Sequence, residues 1–369
     1  MMLKIANCRE RQQRLLRHME ASQLDMVILQ NPKTVYYFTG ALVDPNWPQA
    51  FVMDRSGRSL LVTNREPAQS AAGEVRLYTG YTLEKAFGRT TMQAELSDAI
   101  SRFASAGTTN AAIEFDFTSA GVLARLSCVV SDITPALSEM RRRKDTDELD
   151  CMRRTVELTE AGYAAIKEAL GPGMTEWHVY NVIHEAMVRA ANTSVELRGD
   201  FACGTRAIKG GGPPTDQVVA SGELYILDLF PIFEGYVCDL CRTFVADKAS
   251  GLQRDAWAHI LETHAIAQAL IRPGTPARTV YEETKAHLQQ FRHASDSFTH
   301  HAGHGVGMDG WEYPWLNAGT DQVLQEGEVI AFEPGLYSEE MCGGIRLEHN
   351  YLVTVDGPVA LDSFPMDLK

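Results

Sequence analysis

Residues 228–239 read Asp-Leu-Phe-Pro-Ile-Phe-Glu-Gly-Tyr-Val-Cys-Asp, which is two apolar runs around a Pro/Gly turn with an aspartate at each end. If the runs pair as a hairpin, Asp228 and Asp239 reach the same end of a sheet. A carboxylate in such apolar surroundings is costly to bury unless a cation neutralises it. Taken alone the pair is weak evidence, because an aspartate near a strand end is more often a cap.

A histidine flanked by glycines follows in the stretch 300–307, His-His-Ala-Gly-His-Gly-Val-Gly. Glycine on both sides of His304 lets the backbone approach closely and leaves the imidazole unobstructed. A neutral imidazole nitrogen is a common metal ligand. His304 is therefore a candidate ligand.

Two glutamates stand near the ends of later apolar strands. Glu333 follows the strand 329–332 and precedes Pro334, and Glu348 lies in the strand after Gly343-Gly344. Each alone is compatible with an exposed carboxylate, but four carboxylates and one histidine, all on or beside apolar strands, are harder to explain that way. Hard oxygen donors with one imidazole suit Mn²⁺, Co²⁺, Fe²⁺ or Zn²⁺ in a two-metal hydrolytic site.

The order of these five residues resembles that of the M24 metallopeptidase family, which includes methionine aminopeptidase, aminopeptidase P and prolidase. The resemblance implies a pita-bread catalytic domain that binds two divalent ions, with Mn²⁺ as the first expectation and Co²⁺, Zn²⁺ or Fe²⁺ as alternatives. The stretch Val-Tyr-Tyr-Phe-Thr-Gly at 35–40 resembles a creatinase-type N-terminal domain, which methionine aminopeptidases lack. Further stretches resemble family motifs: residues 172–176, 214–216, 303–307, 333–335 and 344–348.

The resemblance also implies roles for the ligands. Glu333 would be both a metal ligand and the proton shuttle, which takes a proton from the attacking water and passes it to the leaving amine. His304 would bind one metal, and Asp239 would be shared. Asp228 would be the remaining ligand of the set, and Glu348 would bridge the two metals. The implied activity is that of an Xaa-Pro aminopeptidase or prolidase, cleaving an N-terminal or dipeptide amide bond, and the implied assembly is a homodimer.

Two positions depart from proline-directed members, which usually carry substrate histidines where this chain has Gly211 and Trp311. We therefore expect Xaa-Pro peptides to be poor substrates, with Trp311 forming an apolar wall beside the metals. The alternative is that Trp311 points into the core and that His301 replaces a lost histidine. The family histidine four residues before the ligand remains as His300, either a donor to the reaction intermediate or an exposed side chain.

Three functions stay open at this point. The first is the dimetal peptidase. The second is a non-peptidase hydrolase or lyase, similar to creatinase, ectoine hydrolase or dimethylsulfoniopropionate lyase, acting on a small amide or cationic metabolite; the missing histidines favour it. The third is a non-catalytic binding module, which five intact ligands argue against. Arg346 either orients the Glu348 carboxylate or a substrate carboxylate, or it forms a structural salt bridge.

The fold class predicted for the chain is α+β, with a creatinase-like α/β domain at 1–143 and a pita-bread catalytic domain at 144–369. In the first part we expect a helix at 10–20 and a hairpin of strands 49–54 and 59–63, followed by a helix at about 91–105. Met140 is expected to open one long helix to about residue 170, with the basic run 141–144 as a solvated junction.

Composition excludes several functions. Lys plus Arg is 34 and Asp plus Glu is 48, and the net charge of −14 argues against nucleic acid as a partner. No stretch approaches the length of an apolar membrane span, and the N-terminus turns charged before a signal-peptide core could form. Seven scattered cysteines favour a reducing, cytoplasmic location. Cys238 and Cys241 form a CxxC, which we interpret as two small buried residues. The expected partner is a small peptide or amide.

Overall fold

The structure, a computed structural model, describes residues 2–80, 84, 89–104 and 107–368. Contacts within the chain divide it into two units, Met1–Met140 and Arg141–Lys369. The domain boundary after residue 143 stays a prediction that lies close to this division.

The first unit is built on a six-stranded mixed sheet with the strand order β4-β3-β2-β1-β5-β6. Its strands are β1 Met26–Leu29, β2 Ala50–Asp54, β3 Ser59–Thr63, β4 Glu74–Leu77, β5 Asn110–Ile113 and β6 Val129–Asp132. Its helices are α1 Ile5–Ala21, α2 Pro32–Thr39, α3 Arg89–Phe103 and α4 Ala120–Leu123, and α5 Thr134–Arg142 continues into the second unit. The core of this unit lies between the sheet and α3, where Ile28, Val52, Leu60, Leu96 and Ile100 are buried together.

Most of the local predictions for this unit are confirmed. Strands β2 and β3 pair antiparallel, and the Asp54 carboxylate accepts hydrogen bonds from the Ser56 N–H and the Arg58 Nε–H in the turn. Helices form at both predicted places, although the last predicted residue of the second one, 105, lies outside the described residues. The stretch 35–40 lies in α2, which the Asn31 side chain caps and which ends at Gly40 with φ of 68°.

The second unit contains three sheets and five further helices among the described residues. Its helices are α6 Thr146–Ala169, α7 Glu176–Ala191, α8 Thr205–Ile208, α9 Gly251–Leu270 and α10 Ala277–Leu288, with a 3₁₀ turn at Glu339–Met341. Its strands are β7 Glu196–Cys203, β8 Leu224–Phe233, β9 Tyr236–Val237, β10 Leu240–Val245, β11 Gly303–Gly305, β12 Glu312–Leu316, β13 Val329–Phe332, β14 Gly335–Ser338, β15 Gly343–Arg346, β16 His349–Thr354 and β17 Gly357–Ala360.

Two helix pairs cover the two larger sheets of this unit. Helices α6 and α7 share a core with the sheet β10-β8-β7, through residues such as Tyr163, Ile183 and Leu227. Helices α9 and α10 share a second core with the sheet β12-β11-β13-β16-β17, through residues such as Ile260 and Phe332. No helix in the described ranges combines the length and the hydrophobicity that a membrane crossing requires.

The expectation of one long helix from Met140 to residue 170 is wrong. The chain instead leaves α5 at Arg142 and starts α6 at Thr146. Asp145 begins α6 through a capping box with Glu148, whose carboxylate accepts a hydrogen bond from the Asp145 N–H at 2.8 Å. Because this box satisfies donors that a continuous helix would bond internally, it favours a new helix start at this point.

The expectation that the basic run 141–144 is solvated holds only for Arg143, which is exposed, and is wrong for the other three residues. Arg142 and Lys144 have side chains only 7% and 1% exposed, and they pair with the buried carboxylates of Glu328 and Glu312. Arg141 also pairs with Glu312. The local charge pattern does not indicate these ion pairs, because the partners Glu312 and Glu328 lie almost two hundred residues away in sequence.

We expect replacement of Glu312 to destabilise the second unit strongly. Arg141 and Lys144 lower the pKa of the buried Glu312 carboxyl to about 2, against the opposing effect of burial. The substitution Glu312→Gln leaves Lys144 without its carboxylate and leaves Arg141 with Asp309 alone. We expect it to cost about 3 kcal/mol in the free energy of unfolding at pH 7. Because the pKa is depressed, this stabilisation is full above about pH 4.5 and is lost as the pH falls toward 2.

Urea unfolding of the wild type and of Glu312→Gln at pH 7 and at pH 3.5 tests this prediction. The difference between the two proteins should be smaller at the lower pH. Glu326→Gln is the matched control, because Glu326 is exposed and its backbone carbonyl, rather than its side chain, accepts the hydrogen bond from Arg143. Equal stability of wild type and Glu312→Gln at pH 7 would contradict the prediction.

Candidate metal centre

The structure brings the five candidate ligands together inside the second unit, and all of them are buried. Asp228 lies in β8, opposite Cys241 of the neighbouring strand β10. Ligand atoms of Asp228, Asp239 and Glu348 all lie within 4.8 Å of one another. His304 bridges from this group to the remaining carboxylate, because its Nε2 lies 3.6 Å from Asp239 Oδ2 and 3.4 Å from Glu333 Oε1.

Asp239 and Glu348 both occupy short gaps between strands. Asp239 lies between β9 and β10, and Glu348 lies between β15 and β16. The buried amide of Asn350 holds Asp239, since its Oδ1 accepts a hydrogen bond from the Asp239 N–H at 3.0 Å and its Nδ2 donates to the Asp239 carbonyl oxygen. The prediction that Glu348 lies within a strand is therefore wrong. The two gaps release both residues from the strand ladder.

His304 is held with one nitrogen facing the carboxylates. Its Nδ1 lies 3.0 Å from the carbonyl oxygen of Gly305, which only accepts hydrogen bonds, so Nδ1 carries the proton and Nε2 keeps its lone pair. The flanking glycines make this position possible. A Cβ on Gly303 would lie 1.9 Å from the Ala331 carbonyl oxygen, and one on Gly305 would lie 2.1 Å from that of Tyr313. The expected close backbone approach is confirmed.

The electrostatics of the group are those of an under-neutralised carboxylate cluster. Burial, together with the charges of the neighbouring carboxylates, raises the pKa of Asp239 and Glu348 well above their usual values. Burial also opposes ionisation of Glu333, but the neighbouring His301, His304 and Arg346 outweigh it and hold the pKa of Glu333 well below its usual value. Neither carboxylate oxygen of Glu348 has a hydrogen-bond partner.

Arg346 supplies positive charge to one side of the cluster. Its Nη2 donates to Asp228 Oδ2 at 2.5 Å and to Asp200 Oδ2 at 2.8 Å, and its Nη1 donates to the Gly210 carbonyl oxygen. Of the interpretations open for Arg346, the structure therefore places it on the carboxylate of Asp228 rather than on that of Glu348. Asp228 Oδ1 stays without a hydrogen-bond partner.

Two further histidines line the group. His300 has both nitrogens engaged: Nδ1 donates to the His301 carbonyl oxygen at 2.7 Å, and Nε2 accepts from the Tyr337 hydroxyl at 2.9 Å. Burial lowers the pKa of His300 to about 4, so its ring is neutral at pH 7. His301 places Nδ1 at 3.3 Å from Glu333 Oε1. The structure thus puts His301, as well as His300, beside a candidate ligand.

The two departures from the family pattern lie at this site. Trp311 is 71% exposed, and its ring centroid lies 6.5 Å from that of His304 and 6.4 Å from that of Trp315, so it does not point into the core. Gly211 has φ of 120°, and a Cβ there would lie 2.4 Å from Asp200 Oδ2. The Asp200 carboxylate therefore fills the space that a side chain at position 211 would need.

Two other groups with ligand-type side chains do not form metal sites. His259 and His287 stack with their planes 10° apart and centroids 4.1 Å apart, so one ion cannot lie in both ring planes. Cys238 and Cys241 are fully buried, as expected, and burial raises the pKa of both thiols.

Comparison with known proteins agrees with this geometry. The family model of metallopeptidase family M24 matches residues 150–355, which is more than half of the chain. The chain belongs to the M24 metallopeptidase family. The model of the creatinase/prolidase N-terminal domain matches residues 11–143. Membership makes the chain a metallohydrolase with a divalent metal centre, and it bears out the family resemblance seen in the sequence.

Individual M24 relatives are distant in sequence. The Xaa-Pro dipeptidase of Pyrococcus furiosus is 24% identical over 360 residues, which cover 98% of this chain and 99% of that protein. The uncharacterized peptidase YqhT of Bacillus subtilis is 26% identical over 253 residues, which cover 67% of this chain and 71% of that protein.

Solved structures show the same fold. The prolidase from Pyrococcus horikoshii superposes with a TM-score of 0.84 at 22% identity, covering 98% of this chain and 100% of that one. The zinc-substituted aminopeptidase P of E. coli, in complex with product, superposes with a TM-score of 0.83 at 18% identity, covering 100% and 97%. The predicted fold class, a creatinase-type domain followed by a pita-bread domain, is confirmed.

The residues present fit a dinuclear divalent metal centre. The unpartnered oxygens of Asp228 and Glu348 are buried acceptors that a cation would satisfy, and the raised pKa values record repulsion that a cation would remove. Asn350 and Asp200 are the contributors that sequence analysis missed. Neither carries a clear signal in the sequence, because the strand around Asp200 also contains Glu196 and Arg198, and Asn350 directly follows His349.

Metal binding should stabilise the folded protein, and Glu348→Gln should stabilise it in the absence of metal. We expect Mn²⁺ at about 100 times its Kd to add about 2.7 kcal/mol to the unfolding free energy of the wild type, and EDTA to remove it. Without metal, Glu348→Gln should be more stable than the wild type because it removes one of the repelling carboxylates. Calorimetric melting of both proteins with and without Mn²⁺ measures this. A variant that is destabilised without metal would contradict it.

Proposed function

We propose that the chain is a dinuclear-metal Xaa-Pro peptidase, a dipeptidase or aminopeptidase that cleaves the amide bond before proline in small peptides. The observation that carries the proposal is the buried convergence of Asp228, Asp239, His304, Glu333 and Glu348 in an M24 metallopeptidase. The Xaa-Pro dipeptidase of P. furiosus, aligned over almost all of this chain, supports the substrate class. The sequence alternative of a creatinase-like or lyase activity has no comparable support.

The five residues would hold two divalent ions, which lower the pKa of a bound water and polarise the scissile carbonyl when they are present. Asp239 is the carboxylate best placed to be shared, because it contacts both His304 and the Asp228–Glu348 side of the group. Arg346 leaves one oxygen of Asp228 free for binding while it neutralises the other. Mn²⁺ is the ion that we propose.

Glu333 is the residue that we propose to move the proton. Its low pKa keeps it ionised at pH 7, so it accepts a proton from the attacking water and then delivers it to the leaving nitrogen. His301 lies on the same carboxylate and fixes its orientation. The N–H of Glu333 donates to the Ala302 carbonyl oxygen at 3.0 Å, which ties the base to the strand that carries His304.

The residues around the metal group set how a substrate is bound. His300 is held by Tyr337 on the Glu333 side and is the remaining family histidine that we propose as a catalytic contact. We propose that Trp311 contacts the substrate as an apolar wall. Gly211 contributes only backbone there, since Asp200 occupies the adjacent space.

Hydrolysis of Xaa-Pro dipeptides and tripeptides by the metal-reconstituted protein tests the proposal, with N-acyl amino acids and small guanidino or cyclic amides as the comparison set. We expect Mn²⁺-dependent release of proline, abolished by EDTA and restored by added Mn²⁺. Turnover of the small amides in preference to every Xaa-Pro peptide would overturn the substrate class but keep the metallohydrolase.

We also propose a homodimer located in the cytoplasm, with neither nucleic acid nor membrane as a partner. The family resemblance supports the dimer. The scattered cysteines support the cytoplasmic location, and the net charge of −14 argues against nucleic acid as a partner. Light scattering should report a particle of twice the 40.8 kDa chain mass at working concentration. A particle of 40.8 kDa would refute the dimer.

A further inference from the structure

Arg242 is a fully buried arginine on β10 whose donors are all used, and it is not among the candidate ligands. Its Nη1 donates to the carbonyl oxygens of Cys241 at 3.0 Å and Glu348 at 2.5 Å. Its Nη2 donates to Asp362 Oδ2 at 2.6 Å and to the Phe364 carbonyl oxygen at 2.8 Å, and Nε donates to the Pro365 carbonyl oxygen. One side chain thus joins the backbone of Glu348 to residues 362–365.

Asp362 completes this link from the other side. The same Oδ2 that accepts from Arg242 also accepts from His349 Nδ1 at 2.7 Å, and the Asp362 side chain is fully buried. Glu348 and His349 are consecutive residues. Asp362 therefore binds the side chain of the residue next to Glu348, while Arg242 binds the carbonyl oxygen of Glu348 itself. A charge-assisted pair of this kind is both strong and directional.

Glu348 needs such support because it lies in the gap between β15 and β16. Its N–H donates to the Cys241 carbonyl oxygen at 3.0 Å and its carbonyl oxygen accepts from Arg242, so residues 241 and 242 hold both of its backbone polar groups. Its side-chain oxygens have no partner. Hydrogen bonds therefore fix the backbone of Glu348, while its carboxylate stays available to bind a metal.

The C-terminal segment 361–368, which we call the tail, is itself anchored although it contains no helix or strand. The Trp257 Nε1–H donates to the Met366 carbonyl oxygen at 2.6 Å, and the Val245 N–H donates to that of Leu368. At the surface, Lys167 pairs with Asp367 at 2.7 Å. These contacts hold the tail against α9, β10 and α6.

We propose that Arg242 and Asp362 are positioning residues for the metal centre, and that the tail is a functional support that holds Glu348 in place for metal binding. The inference rests on the proposed role of Glu348 as a metal ligand. Residues that orient metal ligands in this way typically change metal affinity by about 10–100-fold when they are replaced. The tail would then tune the affinity of the site without touching substrate.

The test is the affinity of the full-length protein for Mn²⁺, measured by isothermal titration after metal removal. We expect Asp362→Asn and Arg242→Lys each to weaken Mn²⁺ binding about tenfold or more. Asp367→Asn is the matched control, because it removes a carboxylate from the same tail at the surface pair with Lys167; its Mn²⁺ affinity should equal that of the wild type.

A second measurement separates positioning from a merely structural effect. Activity of Asp362→Asn should be low at limiting Mn²⁺ and recover at saturating Mn²⁺, whereas a damaged fold would not recover. Wild-type Mn²⁺ affinity in Asp362→Asn overturns the inference, as does an equal loss in Asp367→Asn. If Asp362→Asn does not fold, the same criteria apply to Arg242→Lys. A wild type that binds no Mn²⁺ would instead overturn the proposed function.

Discussion

Replacing Asp239 with alanine should abolish nearly all bound metal and nearly all turnover. Asp239 faces His304 at 3.6 Å and shares the ligand group with Asp228 and Glu348, so its removal takes a carboxylate from the centre of the cluster. The remaining ligands would then hold an under-neutralised cation. Metal content by elemental analysis and hydrolysis rates after reconstitution with Mn²⁺ measure the two losses together.

Asp321→Ala is the control for that experiment, because it also removes an aspartate from the second unit but at an exposed position. It should keep the metal content and the rate of the wild type. The metal content and the rate of Asn350→Ala should lie between those of Asp239→Ala and Asp321→Ala, since this variant removes only the amide that holds the Asp239 backbone. Full activity in Asp239→Ala, or failure of the wild type to bind any divalent metal, would show that the hydrolase assignment of these residues is wrong.

Replacing Trp311 with histidine should raise the turnover of Xaa-Pro peptides, which we expect to be slow in the native protein. A hydrogen-bond donor to the developing intermediate is worth on the order of 10²–10³ in rate. Indole presents a donor of different reach that exchanges no proton at pH 7. The ring lies close to His304 and is largely exposed, so a smaller histidine can be accommodated without disturbing the core.

The matched control is Trp177→His, at an exposed tryptophan on α7. It should leave Xaa-Pro turnover unchanged. A companion histidine at Gly211 is not a clean test, because the left-handed backbone and the Asp200 carboxylate exclude its Cβ. The prediction fails if the native protein already cleaves Xaa-Pro peptides as fast as an ordinary prolidase, or if Trp311→His gains nothing.

The candidate ligands were accessible from sequence because their chemistry is marked locally. Asp239, Glu333 and Glu348 lie between or directly after strands, and glycine or proline stands beside His304 and Glu333. Their supports were not marked in this way. Asn350, Asp200 and Arg242 become relevant only through the atoms they contact, and those contacts join residues about 100 or more positions apart.

The basic run at 141–144 is a second case in which contacts between residues distant in sequence could not be predicted from the local pattern. Four consecutive cations are typical of a solvated surface, and the local pattern alone favours that interpretation. Glu312 and Glu328 reverse it by offering buried carboxylates that compensate the cost of desolvation. The helix break at residues 143–145, by contrast, follows a local signal, the capping box of Asp145 and Glu148, which outweighs the helical periodicity.

The amino-acid sequence by itself indicated the α+β fold class and the order of the candidate ligands, because strand periodicity and turn chemistry are local. The resemblance to the M24 family, which the family model confirms, rested on the order of those ligands and on the motifs around them. Only the tertiary structure decided that Arg346 lies on Asp228, that Trp311 faces solvent beside His304, and that Arg242 and the tail hold Glu348. These arrangements depend on burial and on charge pairing across long sequence separations. Both arise only when the strands pack.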